Sequence, residues 1–156
     1  MANYKSILSE SYNYVTVLLR LDESNTTDTL LDAETLSYFD PNVPNSSDIQ
    51  LRFYSANFSL GGHNNHSTGF LKILREHQTT DALIMTLTGT DQIQFSPSLP
   101  VEHPAGLSLS GFNGDIKYEA SSSTIGYAVI TFEKKGGFYM THNKWRKPTQ
   151  NNPYSS

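Results

Sequence analysis

The chain has 156 residues, 37% hydrophobic and 17% charged, with no cysteine and a formal net charge of −4. That length suits one domain with its own core. The absence of cysteine excludes a disulfide framework and a thiolate zinc site. The charge is unevenly spread. Residues 1–133 hold six basic and all fifteen acidic residues, for −9, whereas residues 134–156 hold five basic residues and no acidic ones, for +5.

The opening MANYKSILSE lacks the apolar core of a signal peptide, which points to the cytoplasm or to release without a classical signal. No stretch has the apolar length of a transmembrane helix. From residue 12 to 21, Val15, Val17, Leu19 and Leu21 alternate with Tyr14, Thr16 and Arg20, the period of a strand with one buried face. DESNTTDTLLD, 22–32, is acidic, but an EF-hand loop needs glycine at its sixth position and glutamate at its twelfth; Thr27 and Ala33 stand there. It reads as a polar loop. TLLDAETLSYF, 29–39, reads as a strand, although Leu30, Ala33 and Leu36 also fit a short helix.

Ile49, Leu51 and Phe53 alternate over 48–54. The loop GGHNNHSTG, 61–69, holds His63 and His66. With His77 or a carboxylate they are weak candidates for a metal site, but no HExxH-like frame surrounds them and the composition is that of a turn. Residues 68–77 read as a strand. Leu83, Met85 and Leu87 oppose Ala82, Ile84 and Thr86 over 81–88, and Gly89-Thr90-Asp91 leads into QIQF. GLSLSG, 106–111, reads as strand and not as a nucleophile elbow. Asn113-Gly114 is the strongest hairpin signal, placed between LSLSGF and DIKYEA. IGYAVITFE, 125–133, is apolar on both faces over its middle and reads as a central strand covered on both sides. FYMTH, 138–142, reads as a last strand.

The fold expected is therefore all-β: a single antiparallel domain of about nine strands over 1–147, with a polar tail at 148–156. It forms either a two-sheet sandwich or a flattened barrel, with a C-terminal meander after Asp81.

The most distinctive stretch is KKGGFYMTHNKWRKP, in which Tyr139, His142, Lys144, Trp145, Arg146 and Lys147 interleave basic and aromatic groups. These are the expected contact residues of an arm that lies on the acidic body, its own or a neighbour's. An acidic body repels DNA, so nucleic acid is disfavoured. With no phosphate loop, dinucleotide fingerprint or catalytic frame, the expectation is a cysteine-free, soluble, non-enzymatic binding or assembly protein without cofactor. It self-associates as a homo-oligomer or recognises a partner through that arm. Three alternatives stand beside it: a lectin-like carbohydrate-binding domain, a membrane-acting toxin subunit using an amphipathic hairpin at 108–124, and a small-ligand binder inside a β-barrel.

Overall fold

The computed structural model describes residues 3–22, 26–62, 69–101, 104, 106–121 and 124–139. Among the described residues nine strands run in the order β1 (Tyr4–Glu10), β2 (Tyr14–Asp22), β3 (Thr26–Leu31), β4 (Gln50–Gly62), β5 (Leu71–His77), β6 (Ala82–Leu87), β7 (Thr90–Gln94), β8 (Phe112–Ala120) and β9 (Thr124–Gly136). They form two antiparallel sheets, ordered β1-β2-β9-β4-β7 and β3-β8-β5-β6. The sheets do not close on each other, so the architecture is a sandwich and not a barrel.

Alternation places the core where the sequence pattern put it. Val15, Val17 and Leu19 of β2 and Ala128, Ile130 and Phe132 of β9 are buried, facing Ile73 of β5 and Ile116 and Tyr118 of β8. Phe53 meets Phe132 edge to face at 5.9 Å, a favoured aromatic geometry. In β4 the inward set begins as Leu51 and Phe53 and continues as Ala56, Phe58 and Leu60. A register shift between Phe53 and Ser55 makes that change of parity; an extra residue in one strand flips the side chains that follow it.

Several sequence expectations are corrected. Consecutive strands pair only in β1–β2 and β5–β6; the other six connections pass between the sheets. There is thus no C-terminal meander: β6 and β7 lie in different sheets, as do β8 and β9. Asn113-Gly114 is not a hairpin turn, because both residues lie inside β8. GLSLSG is not a strand; Leu109–Gly111 forms a 3₁₀ turn. The amphipathic hairpin expected at 108–124 is consequently that turn and one strand whose alternate residues are buried.

The strand expected over 29–39 ends at Leu31. Asp32 then caps a 3₁₀ turn, Ala33–Thr35, by accepting the Glu34 N–H at 3.2 Å, as short side-chain acceptors do at helix starts. Phe39 makes a single bridge with Phe138; the rest of FYMTH after Tyr139 lies outside the described residues. In β6, Leu83 is 56% exposed while Leu87 is buried, so that alternation does not mark one buried face.

Candidate functional site

β9 is central in its sheet, as its apolar composition implied, but only one of its faces is covered. Its inner residues are buried; on the outer face Val129 and Thr131 are half-buried, and Ile125 and Tyr127 are 37% and 41% exposed. No further layer of described residues lies over this side of the sheet.

Residues directly opposite one another in neighbouring strands share a face. Three rows therefore cross the outer face from β1 to β7. The first is Tyr4, Arg20, Tyr127, Ser59 and Thr90; the second is Ser6, Leu18, Val129, Asn57 and Gln92; the third is Ser9, Thr16, Thr131, Ser55 and Gln94. Of these fifteen positions only Arg20 is charged. Four steps between strands at ~4.8 Å make the face about 19 Å wide.

Side chains on the face brace one another. The Thr16 and Thr131 hydroxyls are 2.8 Å apart, those of Ser59 and Thr90 are 2.9 Å apart, and the Arg20 guanidinium lies 5.3 Å from the Tyr4 ring centre. Tyr14 and Tyr54 meet at one end, ring centres 5.1 Å apart, and Gln94 donates its amide N–H to the Tyr54 hydroxyl at 3.1 Å. Partial desolvation, then the nearby Glu133 and Tyr54, hold the Tyr14 phenol above its ordinary pKa.

The other sheet has a different outer face. Lys72 stands opposite Glu119, Lys117 is beside them on β8, and Asp81 pairs with Lys117 at 3.4 Å. That is an ordinary solvated surface with mixed charge. The contrast between the two faces could not be read from residue spacing, because six of the connections cross between sheets and hide which strands are neighbours.

Among the expected site residues, Tyr139 is described. It is exposed and donates its backbone N–H to the Tyr38 carbonyl at 2.7 Å. His142, Lys144, Trp145, Arg146 and Lys147 lie outside the described residues, and so do His63 and His66. His77, the expected third ligand, is buried with both ring nitrogens engaged: the Thr79 N–H donates to Nδ1 at 3.0 Å and Nε2 lies 2.8 Å from the Ser108 carbonyl oxygen. It offers no nitrogen to a metal. Among the described residues no group of three histidine or acidic side chains could hold a metal ion.

Lys134, counted as the first charge of the basic arm, belongs instead to the interior. It is 1% exposed and its ammonium is bound by Glu10, Ser11 and Ser37. With no barrel lumen, the concavities lie on the open flanks of the sandwich. One, of about 290 Å³, is walled by Phe53, Ala82, Ile84, Leu99 and Val101; another, of about 260 Å³, lies between β1 and β3. No helix of the described residues is long and apolar enough to cross a membrane. No family model matches the chain, and no curated protein matches it.

Proposed function

We propose that this domain is a non-enzymatic, lectin-like binding module, and that its outer five-stranded face takes a neutral glycan chain. The observation that carries the reading is the composition of that face: tyrosine, serine, threonine, asparagine and glutamine, with Leu18 and Val129 as the aliphatic residues and one guanidinium among fifteen positions. Exposed tyrosine rings supply flat area at low entropy cost, and hydroxyls and amides supply adaptable hydrogen bonds. A sugar ring needs both, a C–H face to stack and a rim of hydroxyls to bond.

Charge selects the class of ligand. The three rows are nearly uncharged, with Glu133 and Arg52 beyond them at one end of the face and Asp22 at the other, and the body around it, residues 1–133, carries −9. Nucleic acid and anionic lipid are repelled by such a body, whereas a neutral ligand meets no such penalty. An open sheet face suits an extended chain lying across the row Tyr4, Arg20 and Tyr127 better than it suits a small molecule, which prefers a concave site.

Screening against immobilised neutral glycans, followed by calorimetric titration of any that bind, tests the reading. Tyr127→Ala should weaken binding about tenfold, the equivalent of ~1.4 kcal/mol; Thr86→Ala on the opposite sheet should not. Absence of glycan binding, together with a dimer by light scattering that Tyr127→Ala dissolves, would replace the sugar with a second copy of the chain.

A further inference from the structure

We propose that the basic C-terminal arm folds back on its own domain and seats Trp145 in the groove between β1 and β3. This site is on the flank of the sandwich and stands independently of the glycan reading for the outer face.

The groove is the unclosed seam between two sheet edges. Ile7 and Val17 wall it from one sheet, Leu30 and Leu31 from the other, and Leu36 lies at one end. Lys5 straps the other end, donating to the Thr29 carbonyl and pairing with Asp28 at 3.8 Å. Ile7 is 45% exposed, an apolar residue on an edge strand that proteins normally blunt or cover. The volume, about 260 Å³, is that of about nine groups at the ~30 Å³ a water takes in the liquid. The nine bonded ring atoms of an indole pack more closely than nine waters, so the groove has room for one.

The last described residues, Phe138 and Tyr139, lie beside the Leu36 end of this groove. Tyr139 is fixed to Tyr38 by its N–H, Phe138 bridges Phe39, and the Phe39 N–H reaches the Leu36 carbonyl at 3.4 Å. The arm therefore departs one turn from the Leu36 end. Six residues from Tyr139 to Trp145 span up to about 20 Å when extended, enough to enter without strain.

Charge favours the same contact. Asp32 lines the groove, and Glu34 is exposed in the turn that follows it; among the described residues neither forms an ion pair. Lys144, Arg146 and Lys147 flank the indole and would meet these carboxylates. A short tether gives the arm an effective concentration in the ~mM range at its own groove, which outcompetes a second copy at ordinary protein concentrations.

Trp145 is the sole tryptophan, so its fluorescence reports on the arm alone. The full chain should show blue-shifted emission and acrylamide quenching several-fold weaker than that of a free indole. Glu34→Lys and Ile7→Lys, both at exposed positions, should each shift the emission to the red and raise the quenching. Thr86→Lys, on β6 of the other flank, should change neither. Solvent-like emission in the unaltered chain overturns the proposal, as does blue-shifted emission that ignores both groove substitutions. A dimeric mass by light scattering that falls to a monomer on removing 143–156 overturns it in favour of arm exchange between copies.

Discussion

The Lys134 ammonium lies 2.8 Å from the Glu10 carboxylate, with its side chain wholly withdrawn from solvent. The Ser11 and Ser37 carbonyls complete its three hydrogen bonds, at 2.9 and 3.0 Å, and the Tyr38 and Phe138 rings stand 5.5 Å away. One cation thus ties β1, the loop after the 3₁₀ turn and the end of β9 together.

Removing it leaves two carbonyls without this donor and takes the cation from the Glu10 carboxylate, which still accepts the Ser37 N–H at 2.5 Å. Lys134→Met should cost about 3 kcal/mol, the low end for breaking a buried pair, because Glu10 retains some access to water. Glu10→Gln keeps an acceptor for the ammonium and should cost less. Urea midpoints of the two variants and of their combination test this; a double variant as destabilised as the sum of the singles would show that the pair is not coupled.

His77 and Gly111 make a second linked pair. The Thr79 N–H can only donate, so Nδ1 is bare and Nε2 carries the proton to Ser108. A methyl group at residue 111 would sit 2.2 Å from Nε2. Gly111→Ala should therefore displace the ring, break the Ser108 bond and cost about 2 kcal/mol. In a His77→Ala background the obstructing ring is gone, and the same change should cost at least ~1 kcal/mol less. Equal costs in both backgrounds would remove the clash as the cause.

How far the fold is legible in the sequence follows from what local pattern can encode. Period-two alternation finds the buried faces of β2 and β8 because each is a continuous strand with one face inward. It fails at Asn113-Gly114 because the glycine has φ of +87° inside a strand, where Ile49 lies against the backbone and a Cβ would meet it at 2.3 Å. A turn and a close approach require the same residue. Lys134 reads as part of the arm for a related reason: only the fold brings Glu10 and Ser37 to it across the chain. The outer face has one true signal, the two-sided apolarity of 125–133, but that signal looks the same whether the second cover comes from this chain or from a partner.

At Gly126 the backbones of β9 and β4 leave no space for a side chain. The glycine φ is +128°, and a Cβ there would fall 2.0 Å from the Ser59 carbonyl oxygen. Gly126→Ala should break the pairing with Leu60 and destabilise the domain by about 3 kcal/mol through combined backbone strain and clash. Val129→Ala, on the same strand and outer face, should cost less than ~1.5 kcal/mol. Thermal unfolding of both separates a backbone effect from simple loss of side-chain area. Similar losses in the two would exclude the close approach.

Asp115 gives the domain a pH dependence opposite to that of most carboxylates. It is half-buried on β8 and accepts the Ala33 N–H at 2.9 Å. Burial pushes its pKa up to about 6; the Ala33 hydrogen bond opposes the rise, and the negative charges of Asp32, Glu76 and Glu34 add to it. Between the ordinary aspartate value of 3.8 and about 6, the folded state therefore holds a proton that the unfolded chain has released. Stability from this group is full below the lower value and is lost as pH rises through the upper one. Solvent screening of a half-exposed group limits the loss to about 1 kcal/mol. Asp115→Asn keeps an oxygen for the Ala33 N–H and cannot ionise. It should match the unaltered chain near pH 4, exceed it by about 1 kcal/mol at pH 7, and flatten the slope between. Denaturant titrations at both values decide this: a variant less stable at pH 7 would mean that the carboxylate is held by a compensating cation, and that the cluster around it is not a net repulsive one.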